Sequence, residues 1–514
     1  METPAHGPTD IEKGQVPLET SNDQESATSK NATATNLPSY DKPAWKTLLA
    51  SAFVEARGID RVMPDERQQV SVFGYVQMLL LWFSANLTAN NIALGFLGPS
   101  AYGLSFLDTA MCAVFGSIVG AMGAAYTGTF GPISGNRTMI IARYTMGWWP
   151  SRICVLLNIV IMLGYGMIDS VIGGQILSAV ANNNMTVIVG IIIVAVITWV
   201  VTVFGLPLFH VYERYAWAPQ MAVVFILIGV AGPNFDVTYA SSGNSATVIG
   251  DRISIFSLFV SAGIAWAPAG ADYYVYYPEN TPKYLTFLLT SLGLGLSTMF
   301  AYLVGAGIAS GIATTPAWSD AYEISSGAVL VAAFDGLGGF GKFCGVILAL
   351  GVIANNVPGT YSAALGFQCL GSWPKKVPRA VWNTFGAIVY TICAAVGRNH
   401  LYDIFENFLA LMGYWVTIWL TITLEEQFIF RRKIGYNWED WDNKAALPLG
   451  LAALAAFLIG WVGAVLDMDQ IYFVGPIAKL VGDYGADLGI FVGVGFAAIT
   501  FPPLRFLEKK YVGR

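Results

Sequence analysis

SAGIAWAPAGADYYVYYP, residues 261–278, decides the fold, because this apolar stretch has a proline where a membrane helix would cross the lipid. Pro268 lacks a backbone donor, and its ring clashes with the preceding helical turn. Free backbone groups in hydrocarbon cost several kcal/mol unless they face protein or a water-filled cavity. WFSANLTANNIALGFLGP, residues 82–99, is polar in its middle. We expect both helices to be broken near mid-membrane, which in secondary transporters indicates a binding site.

A third stretch combines amide side chains with a helix breaker. LALGVIANNVPGTYSAAL, residues 348–365, predicts another interrupted helix, and its polar or breaking residues are Asn355, Asn356, Pro358 and Gly359. The two amides offer hydrogen-bond donors and acceptors at membrane depth. We therefore expect this segment to contribute to the same site.

The overall composition is that of a polytopic membrane protein. Of 514 residues, 55% are hydrophobic and 12% are charged, about half the charged fraction of a soluble domain. This excludes a soluble enzyme and a disordered protein, and the net charge of −6 argues against nucleic acid as a partner. The five cysteines form no CxxC pair, so we expect neither a disulfide framework nor a metal site.

Apolar runs long enough to cross about 30 Å of hydrocarbon recur twelve times and are numbered here as spans. They cover residues 72–97, 103–128, 151–180, 185–205, 214–232, 253–276, 284–310, 340–368, 381–397, 401–424, 446–466 and 486–506. The runs are continuous rather than alternating, which favours helices over barrel strands. Because the first two breaks lie five spans apart, we expect spans 1–5 and 6–10 to form two inverted repeats.

The rest of the chain suggests four regions. Residues 1–44 are rich in Ser, Thr, Asn, Pro and charge and predict a disordered cytoplasmic tail. Residues 45–71 follow as a juxtamembrane segment, 72–425 as the ten-helix core, and 426–514 as two additional helices with a short cytoplasmic end. With the tail inside, and without counting the four lysines within residues 1–46, 19 basic residues fall on the cytoplasmic side and 4 outside. The positive-inside rule therefore predicts a multi-pass protein of the cell membrane with both termini cytoplasmic.

Three carboxylates are candidates for carrying a coupling proton. Tyr165 and Asp169 stand four residues apart and share a helical face. An ionised Asp at this depth costs about 2.5–3.5 kcal/mol, so Asp169 should face a cavity, be paired or be protonated. Asp272 follows the break in span 6, where it can instead cap a half-helix. Glu213 begins span 5, where it can instead pair with a basic residue at the surface.

Aromatic rings at pocket depth suggest the shape of the substrate. We expect Tyr165 and Trp266 to face each other across a hollow, and a flat heterocycle between two rings gains roughly 0.5–1.5 kcal/mol per pair. Rings, amides and broken backbone together predict a small planar polar solute. The chain has no GxxxxGK[ST] phosphate loop, which argues against an ATP-driven pump.

Five stretches together resemble the nucleobase–cation symporter family, and within it the Fcy-type purine-cytosine permeases of fungi. They are FGPISGNRTMIIARYTMGWWPSR at 130–152, LGYGMIDSVIGGQ at 163–175, VYERYAWAP at 211–219, and the stretches at 261–278 and 354–368. The resemblance implies an all-α LeuT-like fold of 5+5 inverted repeats plus two helices. It implies proton-coupled uptake of purine bases and cytosine at the plasma membrane by alternating access, with no cofactor beyond H⁺. The functional positions it implies are Ser84, Tyr165, Asp169, Glu213, Trp266, Asn355, Pro358 and Gly359.

Three positions depart from the family pattern. The family usually has Trp and Asn where Tyr165 and Asp169 stand, and Asn where Gly359 stands. A carboxylate accepts from two N–H groups or holds a cation, and glycine removes a hydrogen-bonding group. These departures leave open a carrier of a different small heterocycle, such as a pyridoxine-like vitamin or a secondary-metabolite-related base. A sensing receptor or a membrane enzyme on the same scaffold is a third hypothesis. The sequence specifies no oligomeric state.

Overall fold

The computed structural model describes residues 58–204 and 206–514, without the side chains of residues 206–214. The predicted tail at 1–44, residues 45–57 of the juxtamembrane segment and the side chain of Glu213 lie outside the described residues. The predicted limits of the four regions stay predictions.

Within the described residues, the predicted spans coincide with apolar helices. Ten helices are long and apolar enough to cross a membrane, a bent pair makes an eleventh crossing, and a shorter apolar helix stands at the eleventh predicted run. The spans are Val72–Asn86 with Ala89–Gly95 and Leu97–Ser100, Phe106–Gly128 with Phe130–Ser134, Ser151–Val180, Val187–Phe204, Leu206–Ala231, Ser245–Ile264 with the 3₁₀ turn Ala267–Tyr273, Lys283–Ser310, Gly339–Cys369, Arg379–Gly397, Leu401–Ile404 through Ala410–Glu425 to Phe430, Leu451–Asp467 and Gly489–Val512. The prediction of an all-α polytopic membrane protein is confirmed.

Short elements connect the spans. Two strands, β1 (Asp469–Gln470) and β2 (Phe473–Val474), pair antiparallel between spans 11 and 12. The short helices are Thr138–Met146, Pro316–Ile324, Ser326–Ala332 and Ser372–Lys376, and the 3₁₀ turns are Pro64–Glu66, Gly232–Asn234, Asp335–Leu337, Trp438–Asp442 and Ala478–Leu480. In span 10, Phe405–Leu409 and Glu426–Phe430 are π-helical turns.

Spans 1 and 6 are broken as predicted. Span 1 bends by 63° between its two helical parts. Amide side chains bond the carbonyls around this bend, because Asn86 Nδ2 donates to the carbonyl of Trp82 at 3.0 Å and Asn91 Nδ2 donates to that of Asn86 at 2.7 Å. In span 6 the α-helix ends at Ile264 and a 3₁₀ turn continues to Tyr273. Both irregular segments are buried in protein, as membrane structure requires.

The predicted interruption of span 8 is wrong. Gly339–Cys369 is one α-helix with Pro358 inside it. This helix packs along span 3 and also contacts spans 1, 4, 5 and 9. Such enclosure by neighbouring helices lets a membrane helix tolerate the backbone bond that proline removes.

Small residues bring spans 2 and 6 into backbone contact. A Cβ added at Gly120 would lie 2.7 Å from the carbonyl oxygen of Val260 and 3.1 Å from Cα of Gly263. Close approach through glycine is the usual packing device of membrane helices. It fixes the helical half of span 6 and therefore the position of its break.

Candidate functional site

The two helix breaks are joined by a side-chain hydrogen bond. Trp266 stands at the break of span 6, and its Nε1 donates to Oδ1 of Asn86 in span 1 at 3.0 Å. Its ring also meets that of Trp82 edge to face, with centroids 5.5 Å apart. All three side chains are buried. The breaks therefore meet at one place in the protein.

Tyr165 of span 3 packs directly on Trp266. The ring centroids lie 6.2 Å apart with an interplanar angle of 21°. A guest ring between them would need roughly 7 Å, since contacting carbon layers lie about 3.5–4.0 Å apart. The expected hollow between these rings is thus absent in this conformation. The physical reason is the Tyr165 hydroxyl, which donates to the carbonyl of Ala262 in span 6 at 3.1 Å and holds the ring against that helix.

Asp169 lies one turn beyond Tyr165 on span 3. Its side chain is fully buried, and neither carboxylate oxygen has a hydrogen-bond partner among the described residues. No described Lys, Arg or His side chain forms an ion pair with it. A buried carboxylate without partners is costly in a membrane protein and is a functional candidate by default.

The two amide side chains of span 8 are buried, and in each of them only one of the two polar atoms has a described hydrogen-bond partner. Asn355 Nδ2 donates to the carbonyl of Ala85 in span 1, while its Oδ1 has no described partner. Asn356 Oδ1 accepts from Thr360 Oγ1 at 3.1 Å, while its Nδ2 has none. Asn356 also borders span 3, because a Cβ at Gly166 would lie 3.1 Å from its Oδ1. One acceptor and one donor therefore remain available.

The remaining predicted positions complete the arrangement. Ser84 is buried in span 1, and its hydroxyl has no described partner. The carbonyl of Pro358 accepts from the Tyr273 hydroxyl at 3.3 Å. A Cβ added at Gly359 would meet only Met162, at 3.9 Å or more. Spans 1, 3 and 8 thus bring buried polar atoms without described partners to the region of the two breaks, and these atoms are Ser84 Oγ, Asp169 Oδ1, Asp169 Oδ2, Asn355 Oδ1 and Asn356 Nδ2.

Two aromatic residues of this region were missed by the sequence analysis. Phe408 of span 10 meets Tyr165 edge to face at 6.2 Å, and Trp82 contacts both Trp266 and Tyr273. Trp82 stands at the start of the polar stretch of span 1, so its position in the sequence could have indicated that it belongs to the site. Phe408 lies in a π-helical turn, which no pattern in the sequence predicted.

Asp272 has a capping arrangement. Its Oδ1 accepts from the backbone N–H of Thr138 at 2.7 Å and from the Thr138 hydroxyl at 3.1 Å. Its carbonyl accepts from Nη1 of Arg137 at 2.6 Å. These bonds hold the start of the Thr138–Met146 helix against the end of span 6, as an N-terminal cap does. Among the described side chains of the three candidate carboxylates, Asp169 alone has no partner.

Comparisons with known proteins identify the family of the chain. Residues 63–484 match the family described as permease for cytosine/purines, uracil, thiamine and allantoin. The chain is 33% identical to the vitamin B6 transporter TPN1 of Saccharomyces cerevisiae, over 92% of this chain and 91% of the relative. It is 35% identical to the purine-cytosine permease FCY2 of the same yeast, over 96% and 93%.

Solved structures confirm the predicted LeuT-like fold. The structure of Mhp1, a nucleobase-cation-symport-1 family transporter in a closed conformation with bromovinylhydantoin bound, matches with a TM-score of 0.68 and 14% identity. The match covers 88% of this chain and 95% of Mhp1. The homologues are permeases and transporters rather than enzymes. The chain belongs to the nucleobase–cation symporter family of membrane permeases.

Proposed function

We propose that this protein is a secondary active transporter that takes up purine bases and cytosine together with a proton, by alternating access. The observation that carries the proposal is Asp169, a buried carboxylate without described partners, one turn from the stacked pair of Tyr165 and Trp266. Support also comes from the relatives named purine-cytosine permeases and from the two broken helices that meet at Trp266.

Hydrogen-bond chemistry links the proton to the substrate. An ionised carboxylate only accepts, whereas a protonated one presents a donor beside an acceptor, as an amide does. Adenine and cytosine carry an exocyclic amino donor next to a ring-nitrogen acceptor. A protonated Asp169 matches that edge with two hydrogen bonds, and an ionised Asp169 would oppose the ring nitrogen with its own lone pairs. Base and proton would therefore bind together, which is the basis of symport.

The aromatic pair would move to admit the base. Since Tyr165 and Trp266 contact each other here, a base must separate them or stack on an outer ring face. The tyrosine ring is held by one hydrogen bond, to the carbonyl of Ala262. Breaking it costs about 0.5–1.5 kcal/mol, comparable with the gain from one new aromatic pair. Separation of the rings is thus energetically within reach of the substrate.

A second candidate substrate is a vitamin B6-like ring, and the same residue favours it. An ionised Asp169 suits a ring with a protonated nitrogen or neighbouring hydroxyl donors, as pyridoxine has. Gly359 leaves space beside span 8, where a ring substituent fits better than it would beside an amide side chain. One of the relatives is a vitamin B6 transporter.

An uptake panel separates the two candidates. Cells that lack their own base and vitamin B6 carriers would express this chain and be given radiolabelled adenine, cytosine or pyridoxine. We expect saturable uptake of adenine and cytosine that collapses when a protonophore dissipates the proton gradient. Saturable pyridoxine uptake without base uptake would instead establish the second candidate. Base uptake that survives the protonophore would contradict proton coupling.

We also place the protein in the cell membrane with both termini in the cytoplasm. The support is the excess of basic residues on that side, 19 against 4. Epitope tags at either end should be stained by antibody only after the cells are permeabilised. Staining of intact cells would reverse the orientation.

A further inference from the structure

A cationic cavity lies where spans 10, 11 and 12 end or begin, and it shares no lining residue with the candidate substrate site. Its volume is about 170 Å³, room for several water-sized groups of roughly 30 Å³ each. Four cationic side chains line it, and the other lining residues are apolar. The cationic residues are Arg431, Arg505, Lys509 and Arg514.

Two buried carboxylates fix the back wall of this cavity. Glu426 accepts from Arg505 Nε at 2.9 Å and Nη2 at 3.1 Å, and from Arg431 Nε at 3.0 Å. Glu508 accepts from Arg505 Nη1 at 2.9 Å. The second oxygen of Glu508 accepts from the backbone N–H of Gly450 and Leu451, where span 11 begins. These bonds engage every nitrogen of the Arg505 guanidinium and hold the three helices together.

Other donors around the cavity are not used by carboxylates. Among the described residues, Lys509 has no ion pair, and Arg431 engages only its Nε. Arg514 donates through Nη1 to the carbonyl of Ala445 and has no described ion pair. Four cationic side chains therefore face two carboxylate side chains and the main-chain oxygen of Arg514, which accepts from Arg505 Nη1 at 3.0 Å, so cationic side chains outnumber carboxylate side chains here. Guanidinium and ammonium donors that converge in this way match the oxygens of a phosphate group.

The cavity opens beside apolar side chains at the protein surface. Ile434 lines it and is 73% exposed, and Phe506, next to Arg505, is 64% exposed. The charge distribution along the chain places these helix ends on the cytoplasmic side. Anionic lipids enrich that leaflet, and basic pockets between membrane helices on this side bind their headgroups.

We propose that this cavity binds the phosphate group of an anionic lipid headgroup in the cytoplasmic leaflet. Lys509 provides its ammonium group, and Arg514 and Arg431 provide the guanidinium nitrogens that the bonds to Ala445 and Glu426 do not use. The Glu426–Arg505–Glu508 network holds the wall of the cavity in place, and its two carboxylates bond Arg505 and leave the donors of Lys509 and Arg514 to the ligand. The proposal does not depend on which heterocycle the protein transports.

Native mass spectrometry of the purified full chain tests the site. The protein would be titrated with phosphatidylinositol 4-phosphate, and with phosphatidylcholine as a neutral reference. The test variant is K509Q/R514Q, which leaves the buried network intact. The matched control is R432Q/K510Q, which removes the same charge from neighbouring residues outside the cavity lining. We expect binding about tenfold weaker in the test variant and within about threefold of the parent in the control.

Further arms of the experiment identify the source of the phosphate. Binding of inorganic phosphate alone to the parent protein, with the same dependence on Lys509 and Arg514, would assign the site to a free anion. Binding of the lipid but not of inorganic phosphate supports the headgroup. Equal losses in both variants, or a loss in neither, would overturn the site. If the double variant does not yield a monodisperse protein, K509Q alone carries the same comparison against K510Q.

Discussion

The indole of Trp266 donates to Oδ1 of Asn86 over 3.0 Å, so the broken helix of one repeat holds the broken helix of the other. In transporters of this architecture, one group of helices rocks against the other around the bound substrate. The bond joins the irregular parts of spans 1 and 6 at the level of the candidate site. Trp266 therefore has two roles that can be tested separately: its ring offers a stacking surface, and its N–H donates a hydrogen bond.

Replacement of Trp266 distinguishes these roles. W266F keeps an aromatic face and loses the N–H donor, and we expect the KM for uptake to change by less than about threefold. W266A loses the face as well, and we expect the KM to rise about tenfold, because stacking and apolar contact are both lost. Concentration-dependent uptake of the best substrate measures both values. An unchanged KM in W266A would count against Trp266 as the stacking surface.

Asp169 is the residue whose replacement should alter selectivity. In D169N the amide matches the donor–acceptor edge of adenine or cytosine but cannot take up a proton. We therefore expect the ratio of base uptake to pyridoxine uptake to rise several-fold and the sensitivity to protonophore to fall. D320N, an exposed position between spans 7 and 8, is the matched control. Identical substrate ratios and protonophore sensitivity in D169N and the parent would remove Asp169 from the site.

Much of this architecture can be predicted from the composition of short stretches of sequence. A helix that crosses lipid needs a long apolar run, so the number of spans and the breaks of spans 1 and 6 follow from short stretches of sequence. The shared face of Tyr165 and Asp169 follows from their spacing alone. The burial of Asp169 without described partners agrees with that local reasoning.

Contacts between distant spans were beyond such reasoning. The Tyr165 ring rests on Trp266 because its hydroxyl reaches the carbonyl of Ala262, a distance set by how spans 3 and 6 pack. Pro358 does not interrupt span 8, because surrounding helices enclose that segment. Neither the ring contact nor the unbroken helix can be predicted from the few residues around the position concerned. Counting prolines and glycines in the sequence therefore overestimates the number of broken helices.

Asp272 should act as a structural cap. D272A removes the acceptor of the Thr138 N–H and hydroxyl bonds, and loss of a cap costs about 0.5–2 kcal/mol. We expect a lower melting temperature for the purified variant and a pH profile of uptake that keeps the parent shape. Thermal unfolding in detergent and uptake at several pH values measure the two effects. A stable variant with a flat pH profile would instead make Asp272 a coupling residue.

Asp487 should make stability depend on pH. It lies between spans 11 and 12, where burial raises its pKa to about 7 despite bonds from Tyr414, at 2.6 Å, and Gln470, at 3.0 Å. The folded-state pKa thus exceeds the ordinary carboxyl value of about 3.9. Its stabilising contribution is complete below about pH 4 and is lost as the pH rises through about 7.

The measurement is the melting temperature of the purified protein across that pH range. We expect the parent to lose stability between about pH 4 and pH 7, and D487N to show a smaller loss, because the amide stays neutral. D335N, an exposed position, should follow the parent. A D487N curve as steep as the parent curve would assign the pH dependence to other groups.

Gly359 offers a change that adds a group instead of removing one. An asparagine there adds the amide that the family resemblance implies at this position, and its Cβ would meet only Met162 at ordinary van der Waals distance, 3.9 Å. We therefore expect G359N to fold normally, whereas G305A should express poorly, because a Cβ at Gly305 would overlap the carbonyl of Ile92. With D169N, the added amide should raise the ratio of base to pyridoxine uptake beyond either single variant, since two amides then face the ring from spans 3 and 8. A double variant no more selective than D169N would mean that position 359 does not contact the substrate, and the space beside Met162 would then be packing rather than part of the site.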